Sequence, residues 1–217
     1  MFKTLANAFR VKDIRTKLFY TFLMLIVVRI GSLLPIPGID RDQLALMFSG
    51  DAFQMVDSFT GGSLTQMTVF ALSITPYITS SIIMQLLTIA IPKLEEMQKD
   101  GEDGRKKIQT ITRYVTVGLA LVQSIAMVIG FGKSGIIEGY SAMSGFERVR
   151  ISVTMVAILV AGSAFLMWIG ERITEKGVGN GISIILVINI VSRIPSDMTS
   201  LFNQFVIGKK FAVGTMY

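Results

Sequence analysis

The residue types that carry most protein chemistry are absent from this sequence of 217 residues or stand at unsuitable spacings. It contains no histidine and no cysteine, which excludes imidazole and thiolate metal sites, disulfides, and serine or cysteine nucleophiles activated by histidine. Asp100, Glu102 and Asp103 lie around two glycines, but they lack the spacing of an EF-hand loop. We therefore expect no metal and no cofactor.

Three glycines at alternate positions, Gly177, Gly179 and Gly181, raise the question of a phosphate-binding loop. Neither Lys-Ser nor Lys-Thr follows them and no predicted strand precedes them, which argues against a nucleotide site. We interpret the GVGNG stretch as a tight loop that leads into a helix at a membrane surface.

The composition indicates a membrane protein. Hydrophobic residues make up 51% of the chain and charged residues only 17%, and the mean hydropathy is +0.60. Ordinary soluble domains carry about 25% charged residues. A membrane helix needs about 20 residues, so the length suffices for a bundle of five, and we predict an all-α fold.

Five uncharged or nearly uncharged runs are the candidate membrane helices: Leu18–Leu34, Pro76–Ile91, Tyr114–Phe131, Ile151–Gly170 and Ile182–Ser192. None contains Asp or Glu, which leaves an intramembrane enzyme without a base, so we expect no enzyme. We interpret the first run as retained rather than as part of a cleaved signal peptide, because it is long and Pro-Ile-Pro follows it. The fourth contains the small residues 161–164, which suit close helix packing.

The second run is the exception among the five. It has only 16 residues, and the glycine-rich, moderately apolar stretch Phe59–Leu72 precedes it. Pro76 is well placed to begin a new helix after a break. Broken helices at membrane depth are tolerated where they are buried in protein or line a cavity.

The charges that flank the runs predict an orientation. Residues 1–17 combine five basic residues with apolar ones at helical spacing and are expected to lie on the membrane surface. Lys93–Lys107 packs ten charges into fifteen residues and is expected to be a solvated loop. With the N-terminus inside, thirteen Lys and Arg fall on the inner side and seven on the outer. This distribution favours a cytoplasmic N-terminus and explains most of the net charge of +6 without nucleic acid.

Arg29 is the one charge within the first run. It either extends towards the outer membrane surface, since Leu34 is close, or makes a buried polar contact. Gln85, Thr88 and Gln123 are polar at membrane depth, where such side chains usually bond between helices. They hold helices together or form a polar seam that can open.

Two pairs of apolar residues lie four positions apart, Ile78 with Ile82 and Leu186 with Ile190. Each pair therefore lies on one face of its helix. Such pairs usually face lipid or pack in a core. A hydrophobic constriction that closes by dewetting also needs residues of this kind, but spacing alone does not distinguish these possibilities.

Four stretches make the whole sequence resemble the N-terminal half of the SecY family of bacterial protein-conducting channels. They are VRIGSLLPIPG (28–38), FTGGSLTQMTVFALSITPYITSSIIMQLL (59–87), GRKKIQTITRY (104–114) and FLMWIGERITEKGVGNGISII (165–185). The resemblance implies one half of an inverted-repeat channel, with five membrane helices and a short re-entrant plug helix.

The resemblance also assigns residues. The pore ring would comprise Ile78, Ile82, Leu186 and Ile190. The plug, residues 59–72, would include Phe59, Gly61, Gly62, Leu64, Met67 and Phe70. The lateral gate would include Gln85, Thr88 and Gln123. Leu186 stands where isoleucine is commoner, and Asn189 where glycine is usual, so that Asn189 could wet the constriction.

Taken together, residues 1–17 are expected to be a cytoplasmic segment, 18–195 the membrane half-channel and 196–217 an external segment. The implied location is the bacterial cytoplasmic membrane. Its implied partners are the second half, SecE, SecG, SecA or the ribosome, signal sequences, unfolded secretory chains and lipid. The alternative is half of a secondary transporter for a small solute, supported by the broken helix but with Arg29 as the only charged group in the runs.

Overall fold

Helices account for most of the computed structural model, which describes residues 11–40, 43–44, 57, 60–137, 139–140 and 143–202. The six named helices are α1 (Lys12–Gly31), α2 (Thr75–Ala90), α3 (Pro92–Lys99), α4 (Glu102–Lys133), α5 (Gly145–Lys176) and α6 (Gly181–Phe202). Each predicted apolar run lies largely within one of them. The expected surface helix falls mostly outside the described residues.

Two of these helices, α4 and α5, are long and apolar enough to cross a membrane. Each has 32 residues, or about 48 Å at 1.5 Å per residue. A third crossing is provided if α2 and α3, which meet at an angle of 101°, count as one broken span. The apolar part of α6, Gly181–Pro195, is shorter. The bend between α2 and α3 lies at Ile91 and is not the break predicted before Pro76. At Pro76 the structure shows a helix start, because α2 begins at Thr75 directly after a series of turns.

The charged stretch Lys93–Lys107 is helical rather than a loop, so that expectation was wrong. Pro92 occupies the first turn of α3, where its missing N–H costs nothing, and the residues that follow are good helix formers. Gly101, with φ of +80°, makes the turn into α4. The charged side chains are nevertheless exposed.

Helix α6 also continues past its expected end. We expected the last apolar run to close at Arg193 and Pro195, but the helix includes Pro195 and runs to Phe202. A proline inside a helix removes one backbone hydrogen bond, and here it does not end the helix.

Consecutive turns occupy residues 61–74, called here the turn segment, where a short plug helix was expected. Gly61 and Gly62 have φ of +69° and +86°, a conformation that glycine adopts without steric cost. The chain therefore turns sharply there, and the plug helix implied by the resemblance is not seen in residues 61–74. Antiparallel bonds pair the segment with the chain after α1: Ile36 N–H donates to Met67 O and Val69 N–H to Leu34 O, both at 3.0 Å.

The turn segment lies at the centre of the hydrophobic core. It contributes Leu64, Met67, Ala71 and Leu72 to a cluster with residues of α4 and α5. It contributes Phe70 and Ile74 to a second cluster with α1, α5 and α6.

Small residues on α5 allow the backbone of the turn segment to pack closely against this helix. A β-carbon added at Gly162 of α5 would lie 2.0 Å from the carbonyl oxygen of Val69. The small residues 161–164 thus accept the turn segment at Gly162, where we expected close packing of another helix.

Candidate functional site

The four expected pore residues lie on α2 and α6 and differ in burial. Ile78 is half-buried against the cluster to which α6 contributes Ile185, and Leu186 and Ile190 are half-buried on α6. Ile82 is 52% exposed. The structure therefore packs Ile78 against this hydrophobic cluster and leaves Ile82 on an open face.

Of the expected plug residues that the structure describes, Gly61 is half-buried and the others are buried, and Phe59 lies outside the described residues. Leu64, Met67 and Phe70 are at most 7% exposed. A β-carbon at Gly31 of α1 would lie 2.1 Å from the Phe70 ring. The segment is thus enclosed by this chain's own helices, with α1 and α5 on either side.

Asp57 precedes the turn segment and binds its first residues. Its Oδ1 accepts hydrogen bonds from the backbone N–H groups of Leu64 (3.1 Å) and Thr65 (3.0 Å). Its Oδ2 accepts one from Thr65 Oγ1 at 2.7 Å and lies 2.9 Å from Arg193 Nη1 of α6. We missed Asp57 and Arg193 in the sequence because neither lies in an apolar run, and no spacing rule relates them.

Of the two interpretations of Arg29, the structure supports the buried polar contact. Arg29 is half-buried and donates from Nη2 to the carbonyl oxygen of Ile188 on α6, at 3.1 Å. The next residue, Asn189, is 3% exposed, and its Oδ1 has no hydrogen-bond partner among the described residues. A β-carbon at Gly61 would lie 3.2 Å from Asn189 Cβ, so the turn segment covers this side chain.

The expected gate residues do not share one environment. Gln85 is exposed, Gln123 is half-buried and Thr88 is 5% exposed. The Thr88 hydroxyl donates within its own helix, to Gln85 O at 2.7 Å. We expected a polar group at this depth to bond to a neighbouring helix, and this hydrogen bond does not do so.

Ser80 instead provides a polar link between α2 and α4. Its Oγ donates to Thr112 O at 3.0 Å and shares a 2.7 Å hydrogen bond with Thr116 Oγ1. All three residues are at most 6% exposed. A signal was available in the sequence, since Thr112, Thr116, Ala120 and Ser124 recur every four residues and so form one helical face.

The GVGNG loop is a tight turn into α6, as predicted. Asn180 Oδ1 caps the helix by accepting from the N–H groups of Ile182 (3.1 Å) and Ser183 (3.4 Å). A β-carbon at Gly181 would lie 2.1 Å from Gly170 O, so this glycine permits the close approach of α5 and α6.

A cavity of about 700 Å³, lined by polar and apolar side chains of α2, α4, α5 and α6, opens beside this loop. Glu171, which lines it, accepts from Arg113 Nε at 2.8 Å and from Gln109 Nε2 at 3.3 Å. These bonds tie the two long helices together. No cluster of acidic residues suited to a metal ion occurs among the described residues.

The arrangement is that of a helical membrane protein with several spans. Long apolar helices, a bent helix pair and buried irregular backbone between helices are features of helical membrane proteins with several spans. The SecY family model matches residues 68–216. The chain belongs to the SecY family.

Individual relatives agree. The chain is 44% identical to the protein translocase subunit SecY of Halalkalibacterium halodurans over 94% of its own length and 46% of the relative's. It is 44% identical to the Bacillus subtilis subunit over 95% of its own length and 47% of the relative's. It is 46% identical to the Pseudomonas aeruginosa subunit over 88% of its own length and 42% of the relative's. The chain thus spans about half the length of these curated relatives.

Two solved structures share the fold. A protein-conducting channel and the Sec61 channel of a canine ribosome–channel complex from the endoplasmic reticulum each align with a TM-score of 0.56 and 19% identity. In each case the alignment covers 83% of this chain and 37% of the other.

Proposed function

We propose that this chain forms the N-terminal half of a protein-conducting channel in the bacterial cytoplasmic membrane. The channel passes unfolded secretory proteins across the membrane and releases membrane segments sideways into lipid. The observation that carries this proposal is the 44% identity over 94% of the chain with a relative named protein translocase subunit SecY. The role is passive transport, and a partner supplies the energy.

The proposed arrangement has five membrane crossings with the N-terminus in the cytoplasm. Helices α4 and α5 support two of these crossings. The apolar α2, which bends by 101° into the exposed and charged α3, supports another. The excess of basic residues on the inner side supports the orientation. The complementary half would be related to this one by an inverted repeat.

Ile78, Ile82, Leu186 and Ile190 are proposed to form half of a dry ring around the passing chain. Apolar side chains seal a narrow pore because water leaves it readily. The 52% exposure of Ile82 supports the proposal, since a pore residue must face a space that substrate can enter. The turn segment is proposed to close the resting pore, and Gln85, Thr88 and Gln123 to line the lateral gate.

The proposed partners are the complementary half, SecE and SecG within the membrane, and SecA or the ribosome in the cytoplasm. The charged side chains of α3 and of the first turn of α4 are exposed. They support a cytoplasmic contact surface, because they lie at the end of the bundle that the charge distribution places inside.

A photo-crosslinking amino acid at Ile82 tests the channel. The channel is assembled with its complementary half and engaged with a stalled secretory chain. We expect crosslinks to that chain at Ile82, and none at Ile129 of α4. Ile129 is a matched control because it is 51% exposed but lies on another helix. Equal crosslinking at both positions, or none at Ile82 in an engaged channel, would contradict the pore assignment.

A further inference from the structure

A buried ion pair joins the residue ahead of the turn segment to α6. Arg193 Nη1 lies 2.9 Å from Asp57 Oδ2, with the Asp57 side chain fully buried and that of Arg193 23% exposed. A carboxylate can be buried in this way only when it is paired and hydrogen-bonded. Removing the positive charge would leave Asp57 buried without its counter-ion.

The carboxylate of Asp57 makes contacts of two kinds. Oδ1 accepts the backbone N–H groups of Leu64 and Thr65 and so organises the start of the segment. Oδ2 accepts the Thr65 hydroxyl and also makes the contact to Arg193. One side chain therefore shapes the turn segment and also attaches it to a helix far away in sequence.

The backbone of the turn segment lies directly on the same turn of α6. A β-carbon at Gly61 would be 3.2 Å from Asn189 Cβ, and one at Gly62 would be 3.1 Å from Arg193 Nη1. Asn189 and Arg193 flank Ile190, one of the proposed pore residues. The segment and the pore residue thus share one short stretch of helix.

We propose that Arg193 is a positioning residue that holds the turn segment on α6 through Asp57. The segment leaves the turn of α6 that carries Ile190 only when this ion pair breaks. The inference rests on the proposed channel function, to which it adds the residue pair that maintains the closed state.

Engineered disulfide formation in the assembled channel tests the pair. Gly61→Cys with Asn189→Cys places two β-carbons close to the roughly 3.5–4.5 Å that a disulfide spans. The chain contains no native cysteine, so this half adds no competing thiol. Disulfide yield in the resting channel measures how often the segment lies on α6, and the ion leak of the same channel without the cysteines is a second measurement.

We expect Arg193→Gln to lower the disulfide yield several-fold and to raise the resting leak. Asp57→Asn keeps Oδ1 and the shape of the side chain but loses the charge, and we expect it to have a similar effect. The double variant should be little worse than either single one, and Arg193→Lys should retain most of the yield. Arg172→Gln is the control, because its partner Glu175 lies on the same helix in an exposed pair.

Unchanged yield and leak in both Arg193→Gln and Asp57→Asn would overturn the inference, as would fully additive effects in the double variant. If the channel with the two cysteines does not assemble, the ion leak of the variants without the cysteines is used alone to test the role of Arg193. Translocation of a secretory protein by the unmodified channel is measured in parallel. Its absence would refute the proposed function, whereas normal translocation with unchanged yield and leak would refute only the role of Arg193.

Discussion

At the scale of single residues, short polar side chains decide how the membrane helices meet. Ser80 reaches the backbone of α4 at Thr112 and the hydroxyl of Thr116. Membrane helices gain little from the hydrophobic effect when they associate, so packing and hydrogen bonds between them matter more. The α2–α4 contact is therefore expected to be sensitive to loss of a single hydroxyl.

Ser80→Ala and Thr116→Val should each destabilise the assembled channel, and a double-mutant cycle should give a coupling of about 0.6–2 kcal/mol. The measurement is unfolding of the purified channel in detergent. Thr110→Val serves as the control, because the exposed Thr110 hydroxyl bonds only to Lys106 O of its own helix, at 3.0 Å. A coupling near zero would contradict the prediction.

At the scale of elements, the turn segment has the role that a helix usually fills in a bundle. Its side chains enter both hydrophobic clusters. Its backbone satisfies part of its hydrogen bonding through the pairing with residues 34–36. Irregular backbone at membrane depth is tolerated where it is buried in protein or lines a cavity. Gly31 and Gly162 on the surrounding helices provide the room for it here.

Gly162 and Gly118 are predicted to respond oppositely to alanine. Gly162→Ala should destabilise the channel by roughly 1–3 kcal/mol, because the new methyl group would overlap the Val69 carbonyl. Gly118 lies in the interior of α4 with open space around it. Gly118→Ala should therefore be neutral or stabilising by up to about 1 kcal/mol. Thermal unfolding in detergent measures both, and equal losses would argue against the close contact of Gly162 with the turn segment.

At the scale of the whole molecule, charge distribution and helix length together set the orientation. The exposed charges of α3 and of the start of α4 are at one end of the bundle. The 32 residues of α4 then carry the chain to the other end. Basic residues are retained in the cytoplasm during insertion, so the α3 end is the expected inner one.

Single cysteines at the two ends of α4 test this orientation. Ser134→Cys should react with a membrane-impermeant maleimide in intact cells, and Asp100→Cys only after the membrane is made permeable. Both positions are exposed, and the chain has no cysteine of its own. The reverse pattern would place the N-terminus outside, and labelling of both positions in intact cells would indicate mixed insertion.

The sequence by itself determined the class, the family resemblance and the approximate positions of the apolar helices, although α4, α5 and α6 extend beyond the predicted runs. These features follow from local composition, since an uncharged run of sufficient length forms a helix in a membrane. The break before α2 was likewise predicted correctly, because proline acts through its own backbone. Local composition was a poorer guide to Lys93–Lys107. Its many charges suggested a loop, but most of its residues have a high helix propensity and the stretch is helical.

The tertiary structure alone decided which distant residues meet. The pairing of Asp57 with Arg193, the bond from Arg29 to Ile188 O and the seating of Val69 on Gly162 join parts of the chain far apart in sequence. No periodicity relates such residues, because their proximity depends on how whole helices pack. For the same reason the composition of residues 61–74 indicated only a glycine-rich break and the resemblance implied a short helix, whereas in the structure this stretch is a buried series of turns packed against α1, α5 and α6.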